Sequence, residues 1–224
     1  MYIDLNKKIH IIWVCHVIRA LGHIRVYKFK MNICKTIFYS IKFKGCCVIG
    51  NAIISGKGGV KFATPKSVLV VGVQGTTNVP AQFLLNGTLV VDGCVDFYKG
   101  IKAVVKSNAS LSIQNGTYIN EYSRIFCAKK ITIGREVAIS WHVNIMDTDM
   151  HQIFDNDKQI NCDQEIHIGN HVWIGANSFI GKKANISDNT IIGSGSFVKG
   201  TIKRSGYIYA GFPISPIKQF TKWL

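Results

Sequence analysis

The sequence predicts an all-β protein: a parallel β-solenoid with an N-terminal cap region that contains a helix, and with one loop extruded from the coil. Three observations support this fold class. Aliphatic residues recur every six positions, Gly and Asn often follow them, and the repeat is interrupted at about residues 146–165. A period of six matches neither an α-helix nor a long strand. Three short sides, each followed by a corner, make one coil, and neighbouring coils stack about 4.8 Å apart.

The repeat is cleanest in the C-terminal half, where it holds phase over six units. Three series of aliphatic residues keep the six-residue step: Ile168, Ile174, Ile180, Ile186, Ile192 and Val198; Ile133, Ile139 and Ile145; and Ile113, Ile119, Ile125 and Ile131. We expect each of these side chains to point into the coil and to stack on its equivalent 18 residues away. Because a single rung of a solenoid cannot bury its own faces, successive coils must stabilise one another.

Composition and charge limit the possible functions. Hydrophobic residues make up 47% of the 224-residue chain and charged residues only 17%, which indicates an ordered protein. The net charge of +15 favours an anionic partner: an anionic polymer, an anionic membrane surface or a phosphate-rich cofactor. A nucleic-acid partner is not expected, since the sequence has neither a zinc-binding Cys pattern nor a helix-turn-helix signal.

The cysteines predict a reducing compartment. The chain has seven, an odd number, at irregular spacings, so we interpret them as small buried apolar residues rather than a disulfide framework. We therefore expect a cytoplasmic protein, with association to the inner face of the membrane as an alternative. The longest apolar stretch, residues 11–18, is too short for a transmembrane helix.

Three regions are predicted along the chain. Residues 1–45 mix apolar and basic residues with little Gly, and we interpret them as a cap with a helix at about 6–21. The alternative is a basic amphipathic segment that lies on a membrane surface. Residues 46–205 form the coil, with the loop extruded at about 146–165, and residues 206–224 form a C-terminal tail.

Three short patterns carry a resemblance to a known family. They are "HVWIGAN" at 171–177, "IIGSGSFVKG" at 191–200 and "YAGFPISPIK" at 209–218. With the repeat, they resemble the hexapeptide-repeat acyltransferases, which fold as left-handed parallel β-helices, and in particular the sugar O-acetyltransferases such as the maltose and galactoside enzymes. The resemblance is firm over 110–218 and loose over 46–110. It implies acetyl-CoA as co-substrate and a homotrimer with active sites between subunits.

The interrupting loop is the predicted catalytic element, because loops on rigid scaffolds often carry function. His151, in the pattern "DTDMH", is the candidate general base, since neutral imidazole has a pKa of about 6.5. The resemblance also places the catalytic His of the family in this loop. Asp149 or Asp147 is expected to orient it, although a loop carboxylate can instead cap a turn. We expect Asn144 and Asp147 to contact the substrate, and His142 is the rival base.

Coenzyme contacts are predicted from the resemblance. Trp173 would line the channel for acceptor and pantetheine, or pack on a neighbouring chain. Gly175 and the amide of Ala176 would lie near the thioester. The remaining predicted contacts are Ser194, Lys199, Lys203, Arg204 and Lys218, of which any single lysine could simply be solvated. Ser215 departs from the family pattern, which often has a basic residue there.

The predicted function is acetyl-CoA-dependent O-acetylation of a carbohydrate, in particular a bacterial capsular or surface polysaccharide. The positive charge favours an acidic glycan, for example one that contains sialic acid. The alternative is an N-acetyltransferase of an amino-sugar precursor. A non-catalytic β-helix, or a zinc enzyme like the γ-carbonic anhydrases, is disfavoured. Zinc would need three His ligands, and the H-x4-H spacing is absent around His142 and His151, so no metal is expected.

Overall fold

The computed structural model describes residues 31–224, which form one helix and a coil of short strands. The coil has three sheets, named A, B and C here, and the chain visits them in that order once per coil. Each sheet is parallel throughout, except for one C-terminal strand of sheet A. The predicted all-β parallel solenoid is confirmed.

The strands are numbered in chain order. Sheet A contains β1 (Cys46–Ile49), β4 (Val68–Val71), β7 (Cys94–Phe97), β10 (Thr117–Ile119), β13 (Ala138–Ile139), β18 (Trp173–Ile174), β21 (Ile191–Ile192), β24 (Tyr207–Ala210) and β25 (Ser215–Gln219). Sheet B contains β2 (Ala52–Ser55), β5 (Ala81–Leu85), β8 (Lys102–Val105), β11 (Arg124–Cys127), β14 (Asn144–Met146), β19 (Phe179–Gly181) and β22 (Phe197–Val198). Sheet C contains β3 (Gly59–Phe62), β6 (Thr88–Asp92), β9 (Ser110–Gln114), β12 (Lys130–Ile133), β17 (Ile166–Ile168), β20 (Asn185–Ile186) and β23 (Thr201–Ile202). A separate hairpin pairs β15 (Phe154–Asp155) with β16 (Lys158–Gln159).

Helix α1 (Ile33–Lys42) caps the start of the coil. It begins at Asn32, whose side chain accepts a hydrogen bond from the Lys35 backbone N–H at 2.9 Å. The buried hydroxyls of Thr36 and Ser40 hydrogen-bond to the backbone of β1, which is the edge strand of sheet A. The helix thereby satisfies groups that an open sheet edge would leave unpaired. The helix predicted at about 6–21 lies outside the described residues.

The core is the interior of the coil. Every aliphatic residue of the three predicted six-residue series is at most 1% exposed. Burial of each such side chain contributes about 1.5–3 kcal/mol, so these stacked columns dominate the stability of the coil. The strict repeat therefore specifies which side of each short strand faces inward.

The number of residues between one strand and the strand stacked on it is less regular than predicted. In the C-terminal coils Ile168 pairs with Ile186, a step of 18 residues. Upstream, Ile119 pairs with Ile139, a step of 20, and Ala52 pairs with Ala81, a step of 29. The predicted step of 18 is wrong for these earlier coils, because longer turns, such as residues 72–80, add residues between strands without changing the pairing.

The C-terminal residues extend the coil. Strand β24 continues sheet A by pairing in parallel with β21, and β25 folds back on β24 in the antiparallel direction. The division into a coil ending at 205 and a tail at 206–224 stays a prediction.

The cysteines divide into two groups. Among residues 31–224, Cys46, Cys47 and Cys127 are buried, whereas Cys34, Cys94 and Cys162 are exposed. The prediction that the cysteines are buried is wrong for the exposed three, which lie in α1, at an outward position of sheet A and in the extruded loop. In the same part of the chain, no helix is long and apolar enough to cross a membrane.

Candidate active site

The extruded loop leaves the coil between sheets B and C. Strand β14 ends at Met146, and the next strand of the coil, β17, begins at Ile166. Asn144 pairs with Phe179, a step of 35 residues, whereas Phe179 pairs with Phe197, a step of 18. The loop therefore adds 17 residues to one coil while the parallel ladder continues on both sides of it. This arrangement fixes the two ends of the loop on a rigid scaffold.

His151 is exposed near the start of this loop. Its backbone N–H donates to the Asp149 carbonyl at 2.8 Å, and its carbonyl accepts from the Asn161 side-chain amide at 2.7 Å. Within residues 31–224, hydrogen bonds engage only the backbone of His151. The backbone at His151 is therefore held in place, whereas the imidazole is open to solvent.

Lys182 ties the loop to the next coil. Its ammonium group donates to the Asp149 carboxylate and, at 3.0 Å, to the Asn161 carbonyl, and its side chain is only 11% exposed. The Asn161 amide also donates to the Asp149 carboxylate at 3.1 Å. The Lys182 bond holds the pKa of the Asp149 carboxyl below its usual range, with the Asn161 bond and the charge of Lys199 contributing. Asp149 is thus a charged anchor for the loop that carries His151.

This arrangement differs from the orienting role predicted for Asp149. In the part of the chain that the structure describes, the carboxylate bonds to Lys182 and Asn161, and the imidazole of His151 is not among its partners. Asp149 reaches His151 through the backbone, since its carbonyl accepts the His151 N–H. Neither Lys182 nor Asn161 was predicted as a site residue.

Asp147 is a structural residue rather than a substrate contact. Its side chain is fully buried, and its carboxylate accepts backbone N–H groups of Ala128 at 2.6 Å, Lys129 at 2.9 Å and Lys130 at 2.8 Å. These bonds close the turn between β11 and β12 and fix the first residue of the loop. The predicted contact between Asp147 and the substrate is not compatible with this burial. The alternative, a carboxylate that caps a turn, describes the structure better.

His142 and Asn144 lie shortly before the extruded loop, in the same turn of the coil. Asn144 is half-buried in β14, and its amide reaches the His142 carbonyl at 3.5 Å. The His142 ring stacks on Tyr122 with 5.1 Å between ring centroids. His142 therefore belongs to the turn between sheets A and B, whereas the loop leaves from the turn between B and C.

Trp173 lies on the outer face of sheet A. It is 42% exposed, and its indole N–H donates to the Ser140 hydroxyl at 3.1 Å. Together with Tyr118, Trp141 and Trp223 it lines an open cavity of about 220 Å³. Such an aromatic trough can pack against a sugar ring or against the thin pantetheine arm of a coenzyme.

The small residues of the turns between sheets A and B pack closely. A side chain on Gly175 would meet the Ser194 backbone nitrogen at 2.5 Å. The Ala176 carbonyl accepts from the Gly195 N–H at 2.8 Å, and Ser194 is exposed beside it. The structure thus brings the predicted coenzyme residues Gly175, Ala176 and Ser194 together at one corner of adjacent coils.

The predicted basic coenzyme contacts are all exposed but do not form one cluster within a chain. Lys199 lies in the turn between sheets B and C, whereas Lys203 and Arg204 lie in the turn between sheets C and A. Lys218 lies in β25 and pairs with Ile208 of β24. Lys199 therefore lies at a different corner of the coil from Lys203 and Arg204.

The histidines next to the clean repeats do not form a metal centre. The Nδ1 atom of His167 lies 2.7 Å from the Thr132 hydroxyl, and that of His171 lies 3.0 Å from the Asn189 side-chain oxygen. Trp223 stacks on His171 at 4.2 Å. Within residues 31–224, no group of three or more His, Cys, Asp and Glu side chains could hold a metal ion.

Comparison with known proteins identifies the repeat and the fold. Residues 165–200 match the family described as "Bacterial transferase hexapeptide (six repeats)". The chain is 36% identical over 81 residues to a polysialic acid O-acetyltransferase of Neisseria meningitidis, a match that spans 35% of this chain and only 38% of that relative. It is 28% identical over 213 residues to an uncharacterized 24.8 kDa protein in the cps region of Klebsiella pneumoniae, which spans 93% of this chain and 90% of the relative.

Solved structures with the same fold include two acyltransferases. The polysialic acid O-acetyltransferase OatWY superposes with a TM-score of 0.60 at 25% identity, over 76% of this chain and 90% of that chain. The N-acyltransferase AntD of Bacillus cereus, in a complex that contains coenzyme A, superposes with a TM-score of 0.51 at 20% identity, over 60% and 74% of the two chains. The predicted left-handed β-helix class is confirmed. The chain thus resembles the hexapeptide-repeat acyltransferases in its repeat and in its fold.

Proposed function

We propose that the protein is an acetyl-CoA-dependent O-acetyltransferase that modifies a hydroxyl group of an anionic capsular or surface polysaccharide. The observation that carries this proposal is the exposed His151 on a loop anchored by Lys182 at a corner of the rigid coil. The similarity to a polysialic acid O-acetyltransferase and to a protein from a cps region supports the acceptor class. The net charge of +15 suits a polyanion.

The reaction needs one base and one oxyanion site. Neutral His151 accepts the proton of the acceptor hydroxyl while the oxygen attacks the thioester carbonyl carbon of acetyl-CoA. The tetrahedral intermediate then collapses, the C–S bond breaks, and the departing thiolate takes the proton back from the imidazolium. The products are the acetyl ester and coenzyme A with a free thiol. No covalent enzyme intermediate is required.

Backbone N–H groups stabilise developing negative charge in a water-poor site most effectively. The amide of Ala176 is the proposed donor, and its corner is narrow because Gly175 approaches Ser194 closely. The small residues of 193–196 leave room for the pantetheine arm, and Lys199, Lys203, Arg204 and Lys218 are the proposed phosphate contacts. Cytoplasmic location is part of the proposal, since acetyl-CoA is a cytoplasmic metabolite.

The proposed site requires more than one copy of the chain. His151 emerges between sheets B and C, whereas Trp173 and Ala176 lie on sheet A and at the corner between sheets A and B. A homotrimer in which the loop of one subunit faces the Trp173 corner of its neighbour would complete the site. Symmetric closed rings of this kind make every site equivalent.

Complementation tests the shared site. Inactive His151→Ala and Trp173→Ala chains, refolded or co-expressed at equal amounts, should form mixed trimers that regain about a quarter of wild-type activity, because each site draws one residue from each of two chains. Each variant measured alone is the control. Mixed trimers as inactive as the parents, or a monomer by light scattering, would contradict the shared site.

An acceptor screen tests the activity. The purified full chain is incubated with acetyl-CoA and with polysialic acid, hyaluronan, alginate or neutral dextran, and release of the coenzyme thiol is followed. We expect thiol release that depends on at least one of the polyanions and an alkali-labile acetyl ester on that polymer. Thiol release that is equal in all four reactions, or acetylation of nitrogen only, would overturn the proposal.

A further inference from the structure

Lysine is concentrated at one corner of the coil. Within residues 31–224, seven turns join sheet B to sheet C, and five of the six short ones carry lysine: Lys57, Lys106, Lys129, the pair Lys182 and Lys183, and Lys199. The sixth short turn is Asn86–Gly87. The seventh is the extruded loop, which carries Lys158 and six acidic residues: Asp147, Asp149, Asp155, Asp157, Asp163 and Glu165. None of the five short lysine-bearing turns contains an acidic residue.

The other two corners of the described coil are different. The turns from sheet A to sheet B contain Lys99 as their one lysine, and Glu121 accompanies it. The turns from sheet C to sheet A mix both signs: Lys66, Arg135, Lys203 and Arg204 with Glu136 and Asp188. Outside the extruded loop, the positive charge of the turns is therefore concentrated at one corner, which is the corner from which the His151 loop emerges.

The stacking of coils sets the spacing of these lysines. Strands β8 and β11 are neighbours in sheet B, so the turns of Lys106 and Lys129 lie about 4.8 Å apart along the coil axis. One intervening coil separates Lys57 from Lys106, and another separates Lys129 from Lys183, which gives steps of roughly 10 Å. We name Lys57, Lys106, Lys129 and Lys183 the lysine ladder.

Two open concavities flank this corner. One of about 650 Å³ is lined by Lys57 and Lys61 together with Asn86, Thr88 and Ser110. The other, of about 640 Å³, is lined by Lys129, Lys130, Thr132, Lys183 and Asn185. It also includes Gln164 and Glu165 at the end of the extruded loop, and Glu165 is paired with Lys130. Both therefore combine ammonium groups with hydroxyl or amide groups, which suits a hydrated anionic sugar chain.

The charges of the ladder are not cancelled by neighbours. In the described part of the chain, the ion pairs are Lys130 with Glu165 and Lys182 with Asp149, and neither uses a ladder lysine. Of the acidic residues in the loop, Asp155 and Asp157 lie at the exposed tip of its hairpin. Asp147 is buried, Asp149 and Glu165 form the two ion pairs just named, and Asp163 is half-buried. A polyanion is repelled from that tip and attracted to the base of the loop, where Lys129 and Lys183 lie on either side.

We propose that the lysine ladder binds an anionic polysaccharide as an extended chain and leads it to the base of the His151 loop. The inference deepens the proposed function, on which it rests for the identity of the polymer as acceptor. Individual exposed ion pairs contribute little, so affinity must come from several sugars bound at once and must rise with chain length. Salt weakens the binding, because the Debye length falls from about 10 Å at 0.1 M to 3 Å at 1 M.

A binding experiment without acetyl-CoA tests the ladder separately from catalysis. End-labelled polysialic acid, hyaluronan and alginate are titrated with the full chain by fluorescence anisotropy, beside dextran and short oligomers of each polyanion. The test variant is Lys57→Gln/Lys129→Gln. The control is Lys44→Gln/Lys66→Gln, which removes the same charge from exposed lysines outside the B-to-C turns.

We expect at least one long polyanion to bind more tightly than its short oligomers and than dextran. The ladder variant should bind it about fivefold more weakly, and the control variant within about 1.5-fold of wild type. Equal losses in the two variants, no loss in either, or no binding of any polyanion would overturn the proposal. If the ladder result holds while the thiol-release screen is negative, the ladder stands as a polymer-binding surface and the proposed function fails.

Discussion

Removing the Lys182 ammonium group tests whether the loop anchor holds His151 in a working position. In Lys182→Met, the Asp149 carboxylate and the Asn161 carbonyl each lose a hydrogen bond from a charged donor. Bonds of this type contribute about 1.5–3 kcal/mol when buried. Because Asp149 is 43% exposed, water replaces part of the loss, and we expect the closed loop to lose about 1–2 kcal/mol.

A free-energy loss of this size changes the ratio of closed to open loop by about tenfold, since 1.4 kcal/mol corresponds to a factor of ten. We therefore expect kcat for acetyl transfer to fall by up to about tenfold, the full factor applying where the open loop predominates, whereas the KM for acetyl-CoA changes little. Thermal unfolding of the coil should move by only a few degrees, because the coil core is unchanged. The assay is thiol release at saturating acetyl-CoA, with melting followed by circular dichroism.

Lys182→Arg is the matched control, because it keeps the positive charge and can donate to the same two oxygens. It should retain most of the wild-type kcat. Hydrogen exchange of the loop amides would be faster in Lys182→Met than in Lys182→Arg. A wild-type kcat in Lys182→Met, or an equal loss in both variants, would refute the view that the charged anchor positions His151.

Three further results are expected from single groups. Asp147→Asn should destabilise the fold by about 1–3 kcal/mol in urea denaturation, because three backbone N–H groups lose a charged acceptor, whereas Asp157→Asn at the exposed loop tip should be neutral. Gly175→Ala should lower the melting temperature and coenzyme binding, because its new methyl group meets backbone at 2.5 Å, and Gly59→Ala, with open space around it, should not. The carboxyl of Asp149 should titrate below the ordinary Asp pKa of about 3.9 in carbon-13 NMR; its contribution to loop stability is then complete above that value and is lost as pH falls through the lowered pKa. An unshifted titration of Asp149 would contradict its assignment. Equal effects of Asp147→Asn and Asp157→Asn, or of Gly175→Ala and Gly59→Ala, would contradict the roles given to Asp147 and Gly175.

The six-residue repeat was sufficient to predict the coil and its core. The rule is local: each aliphatic residue occupies the inward position of a short strand, so Ile168 and Ile186 stack wherever the units are unbroken. The repeat does not specify the length of each turn. Turns face solvent and tolerate extra residues at little cost, which explains why the step of 18 does not hold in the N-terminal coils.

The interruption of the repeat was also sufficient to predict where the loop leaves the coil, but not the role of each acidic residue. Asp147 and Asp149 are two residues apart in one motif, yet one is fully buried and the other exposed. Burial of Asp147 results from contacts with the turn at 128–130, which belongs to the previous coil. Lys182 was missed for the same reason, because its partner lies 33 residues away in sequence and only the stacking of coils brings the two together.

The claim that His151 is the base is tested most directly by comparing two histidine variants in one assay. His151→Ala should reduce acetyl transfer to the responsive polyanion by at least about a hundredfold, since loss of a general base costs about 10²–10⁴ in rate. The same protein should bind acetyl-CoA normally and keep its oligomeric state. His142→Ala, which removes the ring stacked on Tyr122, should retain most of the activity. Near-normal turnover by His151→Ala together with an inactive His142→Ala would contradict the account.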